Sequence, residues 1–389
     1  MLLSIKKSEW TGNTRNDLFA GLVSSVAILP EVIGFAIIAG VHPMSALFAS
    51  AITLLVITLT GGRPAMVSAA AGSMALVIAG LVTSHGLNYM IAATILTGIL
   101  QFVLGYLNIH KVMKYIPKSV MIGFVNALAI LIFMAQVQQL PDQNVLGYVM
   151  VIISIVAIYL LPKFIKVVPP ALIIIVIMTI LSFLFKGSFN TVGDLGDMSS
   201  LEVSFGSPTV PMTFETLKII LPTAISLTFI GLMETLLTIP IVDEMTDSTS
   251  DSKREVKAQG LANFITGFFG GQAGCAMIGQ AVINVKSGGR TRLSTFISGM
   301  TLLLFIFVLE SLMVVIPTAA LIGIMITVAA DTFDWKSVEM LKSWEMIEST
   351  VMVVTVGLIV YTGNLAIGIF CGVVLNALLV LLTKVNNKN

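Results

Sequence analysis

Apolar runs alternate with short polar stretches along nearly the whole chain. A helix that crosses a bilayer needs about 20 predominantly apolar residues, and a shorter run predicts a half-helix or a re-entrant segment. On that measure spans are predicted near 17–41, 44–60, 72–84, 88–107, 117–138, 145–165, 169–185, 217–242, 258–269, 276–287, 293–316, 318–330, 347–363 and 365–384. They number about fourteen, and several are short. Two of the short ones follow matching glycine pairs. Gly61 to Met74 reads GGRPAMVSAAAGSM, and Gly270 to Ile283 reads GGQAGCAMIGQAVI. Each pair closes one span and opens a small-residue stretch too short to cross as a helix.

The connection from Lys186 to Glu215, with Asp194, Asp197 and Glu202, divides the chain into halves of seven spans. An odd number per half turns the second half upside down relative to the first. The fold class predicted is therefore an all-α polytopic membrane protein, one domain over 1–389. It has about 14 spans as 7+7 inverted repeats, with two half-helices at mid-membrane. Short, glycine-interrupted segments in matching positions of inverted halves point to a transporter's binding site. A helix that starts at mid-membrane leaves its first N–H groups and its positive dipole end exposed, which attracts an anion. Small residues such as Ala69, Ala70, Ala71, Gly72 and Ala276 let a ligand approach the backbone, although they also permit close helix packing.

Composition sharpens this picture: 57% of the 389 residues are hydrophobic and 11% are charged, so no stretch is polar enough for a separate soluble domain. A net charge of +1 argues against a nucleic-acid partner, since such binders carry a concentrated basic patch. Cys275 and Cys371 are the only cysteines and read as buried thiols. The N-terminal segment does not resemble a cleaved signal peptide. With the N-terminus inside, all 21 Lys and Arg except Lys186 and Lys218 fall on the cytoplasmic side. The positive-inside rule thus places both termini in the cytoplasm, in a bacterial-type inner membrane.

An ionisable residue within a span is a functional candidate, because lipid makes it costly. Glu31 is the only charge between Asp17 and His42 and follows Pro30. Glu234 is the only charge between Lys218 and Asp243, and Thr238 lies four residues on, on the same helical face. A carboxylate and a hydroxyl so spaced can share a sodium ion, or the carboxylate can carry a proton. A protonated Glu bonded to a backbone break is the structural alternative. Glu310 reads as reaching the headgroups. His42, His85 and His110 have no ligand spacing, so no resident metal is predicted. Asn263 and Asn284 read as braces of the second break. No nucleophile elbow, Walker loop or H-E-x-x-H occurs, which argues against an enzyme or an ATP-driven pump.

Three segments resemble the sulfate permease (SulP) family of anion transporters: Asp17 to Pro43, Gly98 to Phe124 and, most specifically, Gly260 to Ser294. The resemblance implies the fold of uracil and xanthine permeases. A core of roughly 17–107 and 217–316 would move against a gate of roughly 117–185 and 318–384, usually in a homodimer. Substrate would sit between the half-helices after Gly62 and Gly271. The anion contacts of relatives map onto Ala71 with Gly72 and onto Met277 with Ile278, flanked by Ser68, Ser73, Ala276 and Gln280. In sodium-dependent bicarbonate carriers of the family, the positions of Glu234 and Thr238 hold sodium, and backbone at Ala276 and Met277 completes that site. This chain departs from the pattern in three places. Gln280 replaces a frequent Arg, Ala71 stands where the bicarbonate carriers have Thr, and Glu31 stands where members often have Gln. It also stops at Thr383 to Asn389 without the family's usual cytoplasmic STAS domain.

The function predicted is cation-coupled import of a small inorganic anion, bicarbonate or sulfate. No cofactor is implied beyond sodium at Glu234 and Thr238; the other partners are membrane lipid and a second copy of the chain. Proton-coupled dicarboxylate uptake through Glu31 and Glu234 is the second transporter reading. An anion channel or a voltage-responsive membrane protein is the alternative of another class.

Overall fold

The structure, a computed structural model, describes residues 6–112, 115–165, 168–185, 187–195, 209–210, 213–343 and 346–386. Lys114, Lys166, Lys186, Asp197, Glu202 and Lys388, and the side chains of Glu310, Lys342 and Lys384, lie outside the described residues.

Helices dominate. The first half runs α1 (Thr14–Ala39), α2 (Pro43–Thr60), the short strand β1 (Ser68–Ala69), α3 (Gly72–His85), α4 (Leu87–Tyr106), the short α5 (Ile109–Val112), α6 (Lys118–Gln139), α7 (Val145–Leu160) and α8 (Pro170–Leu184). The second half runs α9 (Phe214–Thr246), α10 (Ser252–Phe268), strand β2 (Cys275–Ala276), α11 (Ile278–Lys286), α12 (Arg292–Val314), α13 (Thr318–Thr332), α14 (Lys336–Ser343), α15 (Met346–Thr362) and α16 (Leu365–Asn386). Among the described residues, seven helices are long and apolar enough to cross a membrane: α1, α2, α4, α6, α7, α9 and α16. In lipid every backbone polar group must find its partner within the protein, which is what makes helices the spanning element. Hydroxyls inside these helices bond to the carbonyl one turn back, as in Ser50 to Ala46 and Thr228 to Ala224.

Glycines let the two halves meet backbone to backbone. A Cβ added to Gly98 of α4 would stand 2.3 Å from Phe264 N, and one added to Gly260 of α10 would stand 2.4 Å from Phe102 N. Small residues at helix crossings allow this approach where hydrophobic driving force is absent. Around the α4 and α10 pair, α12 packs on α1 and α2, and α9 packs on α4. A second group forms where α13 packs on α6 and α7, and α15 packs on α6 and α16. Gly34 of α1 faces Met325 of α13 closely enough that any Cβ would overlap its side chain, which joins the two groups.

At one end of the first group, charged residues that the sequence places beside the membrane are buried. Arg292, 2% exposed, donates to Thr58 O (2.8 Å) and Gly61 O (2.6 Å) and pairs with Glu9 at 2.6 Å. Asp17, fully buried, accepts from the Arg290 and Thr291 N–H groups at 2.7 and 3.1 Å, where α12 begins. Glu255, also fully buried, accepts from the Gly62 and Arg63 N–H groups at 2.6 and 2.9 Å. Cations thus cover the carbonyl end of α2, while a carboxylate covers the amides that follow it.

Candidate functional site

Both glycine-paired stretches lead into extended backbone and then into a helix that starts inside the bundle. β1 and β2 pair antiparallel, Ser68 opposite Ala276 and Ala69 opposite Cys275, and the Met277 N–H donates to Val67 O at 2.9 Å. Strand pairing satisfies the backbone that each interrupted helix leaves open. Ala71 and Met277 then take the N-cap positions of α3 and α11, and neither helix has a side-chain cap. By contrast, Thr213, Asp251 and Thr291 cap α9, α10 and α12 with their side chains. The uncapped starts of α3 and α11 keep their dipole ends available to a ligand.

The two starts differ in openness. Gly72 lies under the Phe35 ring and Ile132, which would stand 2.7 and 3.0 Å from an added Cβ. Ile278 is 37% exposed, and a Cβ on Gly279 would meet nothing within 4 Å. Bracing differs too. The Ala70 N–H donates to Ser50 Oγ at 3.1 Å, whereas Gly274 is held on both its polar groups. Asn263 Oδ1 accepts from Gly274 N at 2.9 Å, and Asn263 Nδ2 and Gln259 Nε2 donate to Gly274 O at 3.1 and 2.8 Å. Asn263 therefore acts as a brace, as predicted. Asn284 does likewise, donating to Ala65 O at 2.9 Å.

Glu234 lies where the breaks meet. It is partly exposed, and its Oε2 accepts from the Cys275 thiol at 2.7 Å, with Ser73 of α3 beside it. The carboxylate is thus flanked by one residue from each break. Thr238, fully buried, donates its hydroxyl to the Glu234 carbonyl at 2.8 Å, and its oxygen retains lone pairs for a cation. The Ala276 and Met277 N–H groups are already used, by Thr235 Oγ1 at 3.3 Å and by Val67 O, and Met277 O accepts from the Ala281 N–H at 3.0 Å. Toward an ion these residues therefore have carbonyl lone pairs rather than N–H groups, one of those of Met277 being taken. Ser68 is buried with its hydroxyl unpartnered.

Gln280, in the first turn of α11, donates to Glu31 Oε1 at 2.7 Å and to Ala27 O at 3.4 Å. The second carboxylate is therefore bonded directly to the second half-helix. Both residues line a cavity of about 310 Å³ between α1, α7, α8, α11 and α13, which extends to Tyr159 and Asp331. No group of three or more His, Cys, Asp or Glu suited to a metal occurs among the described residues.

Sequence reasoning placed Cys275 in the interior but not beside Glu234, from which it is 41 residues distant. It used Arg292 only as a marker of orientation and assigned no role to Glu255 or Asp17. One signal was within reach: Asp17 and Glu255 each lie in the first turn of a helix that continues into apolar sequence. Phe35 and Ile132, the cover of the first break, carried no signal in an apolar chain.

The family described as the sulfate permease family matches residues 14–159 and 138–355. A Bacillus subtilis (strain 168) protein named "Putative sulfate transporter YbaR" is 53% identical over 371 residues, 95% of this chain and 78% of that protein. The bicarbonate transporter BicA of Picosynechococcus sp. is 28% identical over 356 residues, 83% of this chain and 62% of that protein. Among solved structures, the transmembrane domain of a cyanobacterium bicarbonate transporter BicA superimposes with a TM-score of 0.82 at 26% identity, covering 91% of this chain and 97% of that one. The murine Slc26a9 anion transporter in the inward-facing state gives a TM-score of 0.85 at 20% identity, covering 98% of this chain and 71% of that one, which is a likeness of fold.

Proposed function

The chain belongs to the sulfate permease family, and from that premise we propose that it imports a small inorganic anion, bicarbonate or sulfate, together with a cation. It is an integral membrane protein from a family of transporters, not of enzymes. The observation that carries the proposal is the position of Glu234, bonded to Cys275 at the second break and beside Ser73 at the first. A carboxylate there can hold a cation, and that cation supplies the positive charge that Gln280 does not.

The anion sits between the starts of α3 and α11, near Ser68, Ala71, Gly72, Ser73, Ala276, Met277, Ile278 and Gln280. The open start of α11 offers the N–H groups of Ile278 and Gly279. Sodium sits at Glu234 and Thr238 with the carbonyls of Ala276 and Met277. About 14 spans form 7+7 inverted repeats with both termini in the cytoplasm of a bacterial inner membrane. A core of α1 to α4 and α9 to α12 rocks against a gate of the remaining spans, in a homodimer. The carboxylate couples the ions because carrying it unpaired through lipid is costly.

Uptake of labelled bicarbonate, sulfate and fumarate into proteoliposomes, with sodium and proton gradients imposed separately, tests this reading. Glu234→Gln is expected to abolish gradient-driven uptake, and retention of uptake refutes the coupling role. A second reading, proton-coupled dicarboxylate uptake, draws on the Glu31–Gln280 bond at the head of the 310 Å³ cavity. Fumarate uptake driven by a pH gradient without sodium selects it. Currents far faster than alternating access select a channel.

A further inference from the structure

Cys275 has a chemical position that the anion and cation sites do not by themselves require. Its backbone is fixed by strand pairing with Ala69, and its side chain is fully buried. Across from it is Gly231 of α9. A Cβ on Gly231 would make an ordinary contact with Cys275 Cβ at 3.6 Å but would stand 2.5 Å from Met74 Cε and 3.0 Å from Gln101 Nε2, so α9 passes close to the second break here. One turn further along α9 is Glu234, whose Oε2 accepts a hydrogen bond from the thiol at 2.7 Å. Cys371, the other cysteine, lies on α16 and is also a free thiol. No disulfide therefore competes for the Cys275 sulfur.

We propose that Cys275 is a positioning residue that holds the Glu234 carboxylate toward the second break and competes with sodium for its Oε2 atom. This rests on the reading of Glu234 as the cation site. A cation and an S–H donor compete for the same lone pairs, so sodium entry requires the thiol to release or share Oε2. The bond stabilises the empty site, and sodium is held less tightly than a bare carboxylate would hold it. A weak binding site is what a carrier needs if it is to release its ion on arrival. Because the thiol is a weak donor, the bond lies at the modest end of hydrogen-bond strengths. A fixed hydroxyl at the same position preserves the competition, and a methyl group abolishes it.

The test has two arms, both on the purified full-length chain carrying Cys371→Ser, so that one thiol remains. In the first, the infrared S–H stretching band is followed. It is expected to be displaced from the position of a free thiol, to move in Glu234→Gln, and to move toward the free position as sodium is titrated against a large organic cation. A band indifferent to both Glu234→Gln and sodium overturns the proposal. In the second arm, the sodium concentration for half-maximal anion uptake is measured. Cys275→Ala is expected to lower it about threefold to tenfold, the range a modest hydrogen bond supports. Cys275→Ser is expected to keep it within about twofold of the parent, since it retains a donor. An unchanged value in Cys275→Ala, with uptake still dependent on sodium, overturns the competition and leaves Glu234 as the cation site. If uptake ignores sodium while the band still answers to it, the importer reading fails and the thiol–carboxylate competition stands.

Discussion

The two breaks are built to one plan and finished differently. Each has a glycine pair, a two-residue strand and a helix without a side-chain cap. At the first, Phe35 and Ile132 close over Gly72, and the approach is anchored from outside by Glu255 on Gly62 and Arg63. At the second, the helix start is open at Ile278 and Gly279, and the anchor is the carboxamide of Asn263 directly behind the strand. A charged brace serves the break that is covered, and a neutral brace serves the one that is open. The physical sense is that Glu234 and Glu31 already bring two carboxylates to the second break, so a carboxamide brace adds no further negative charge beside the open helix start.

The most severe way to break this comparison is at the charged brace. Glu255→Ala removes the acceptor of the Gly62 and Arg63 N–H groups and a neighbour of Arg63, Arg254 and Arg292. Breaking a buried charged network by deleting one member costs about 3–5 kcal/mol. Thermal unfolding in detergent is expected to show a stability loss of that order, and a variant as stable as the parent would mean that the first break needs no charged anchor. The neutral brace is expected to matter less. Asn263→Ala orphans the Gly274 N–H and the Gln101 Oε1 that now accepts from Asn263 at 2.8 Å. Each buried group left unpaired costs about 1–3 kcal/mol, and Gly274 O keeps its bond from Gln259. The same unfolding measurement is expected to rank Asn263→Ala between Glu255→Ala and the glycine variants below.

The helices were legible in the sequence because a lipid span is a matter of length and apolarity, and both can be read without a partner. Their ends were less so. α9 runs from Phe214 to Thr246, past the predicted 217–242, and α10 starts at Ser252 rather than 258. An apolar ruler measures the hydrocarbon thickness, whereas the hydrogen-bond ladder continues into charged sequence for as long as capping and tertiary contacts support it. The breaks were legible from their paired glycines, and Glu234 from its isolation among apolar residues. What these groups touch was not. Arg292 at 2% exposure looks, in sequence, like any cytoplasmic arginine, and its burial depends on carbonyls of α2 that lie more than 200 residues away. Cys275 looked like a buried thiol and is one, but its partner is set by strand register and by the packing of α9 on β2.

The finest test of the difference between the breaks is one methyl group placed at each helix start. Gly72→Ala puts a Cβ 2.7 Å from the Phe35 ring and 3.0 Å from Ile132, so the cover must shift, at a cost of about 1–3 kcal/mol for overpacking. The ring edge can move by a few tenths of an ångström, which places the cost toward the lower end of that range. Gly279→Ala meets open space within α11 and replaces glycine by a better helix former, so stability is expected to hold or to rise by about 0.5–1 kcal/mol. Uptake is expected to rank the pair the other way. At Gly279 the added methyl occupies the space through which an anion would reach the helix N-terminus, and the half-saturating anion concentration is expected to rise severalfold. At Gly72 it falls under the existing Phe35 and Ile132 cover rather than on the open approach, and that concentration is expected to rise less than in Gly279→Ala. If both variants raised it equally, the anion would be bound symmetrically by both helix starts, and the closure over Gly72 would not be what separates them.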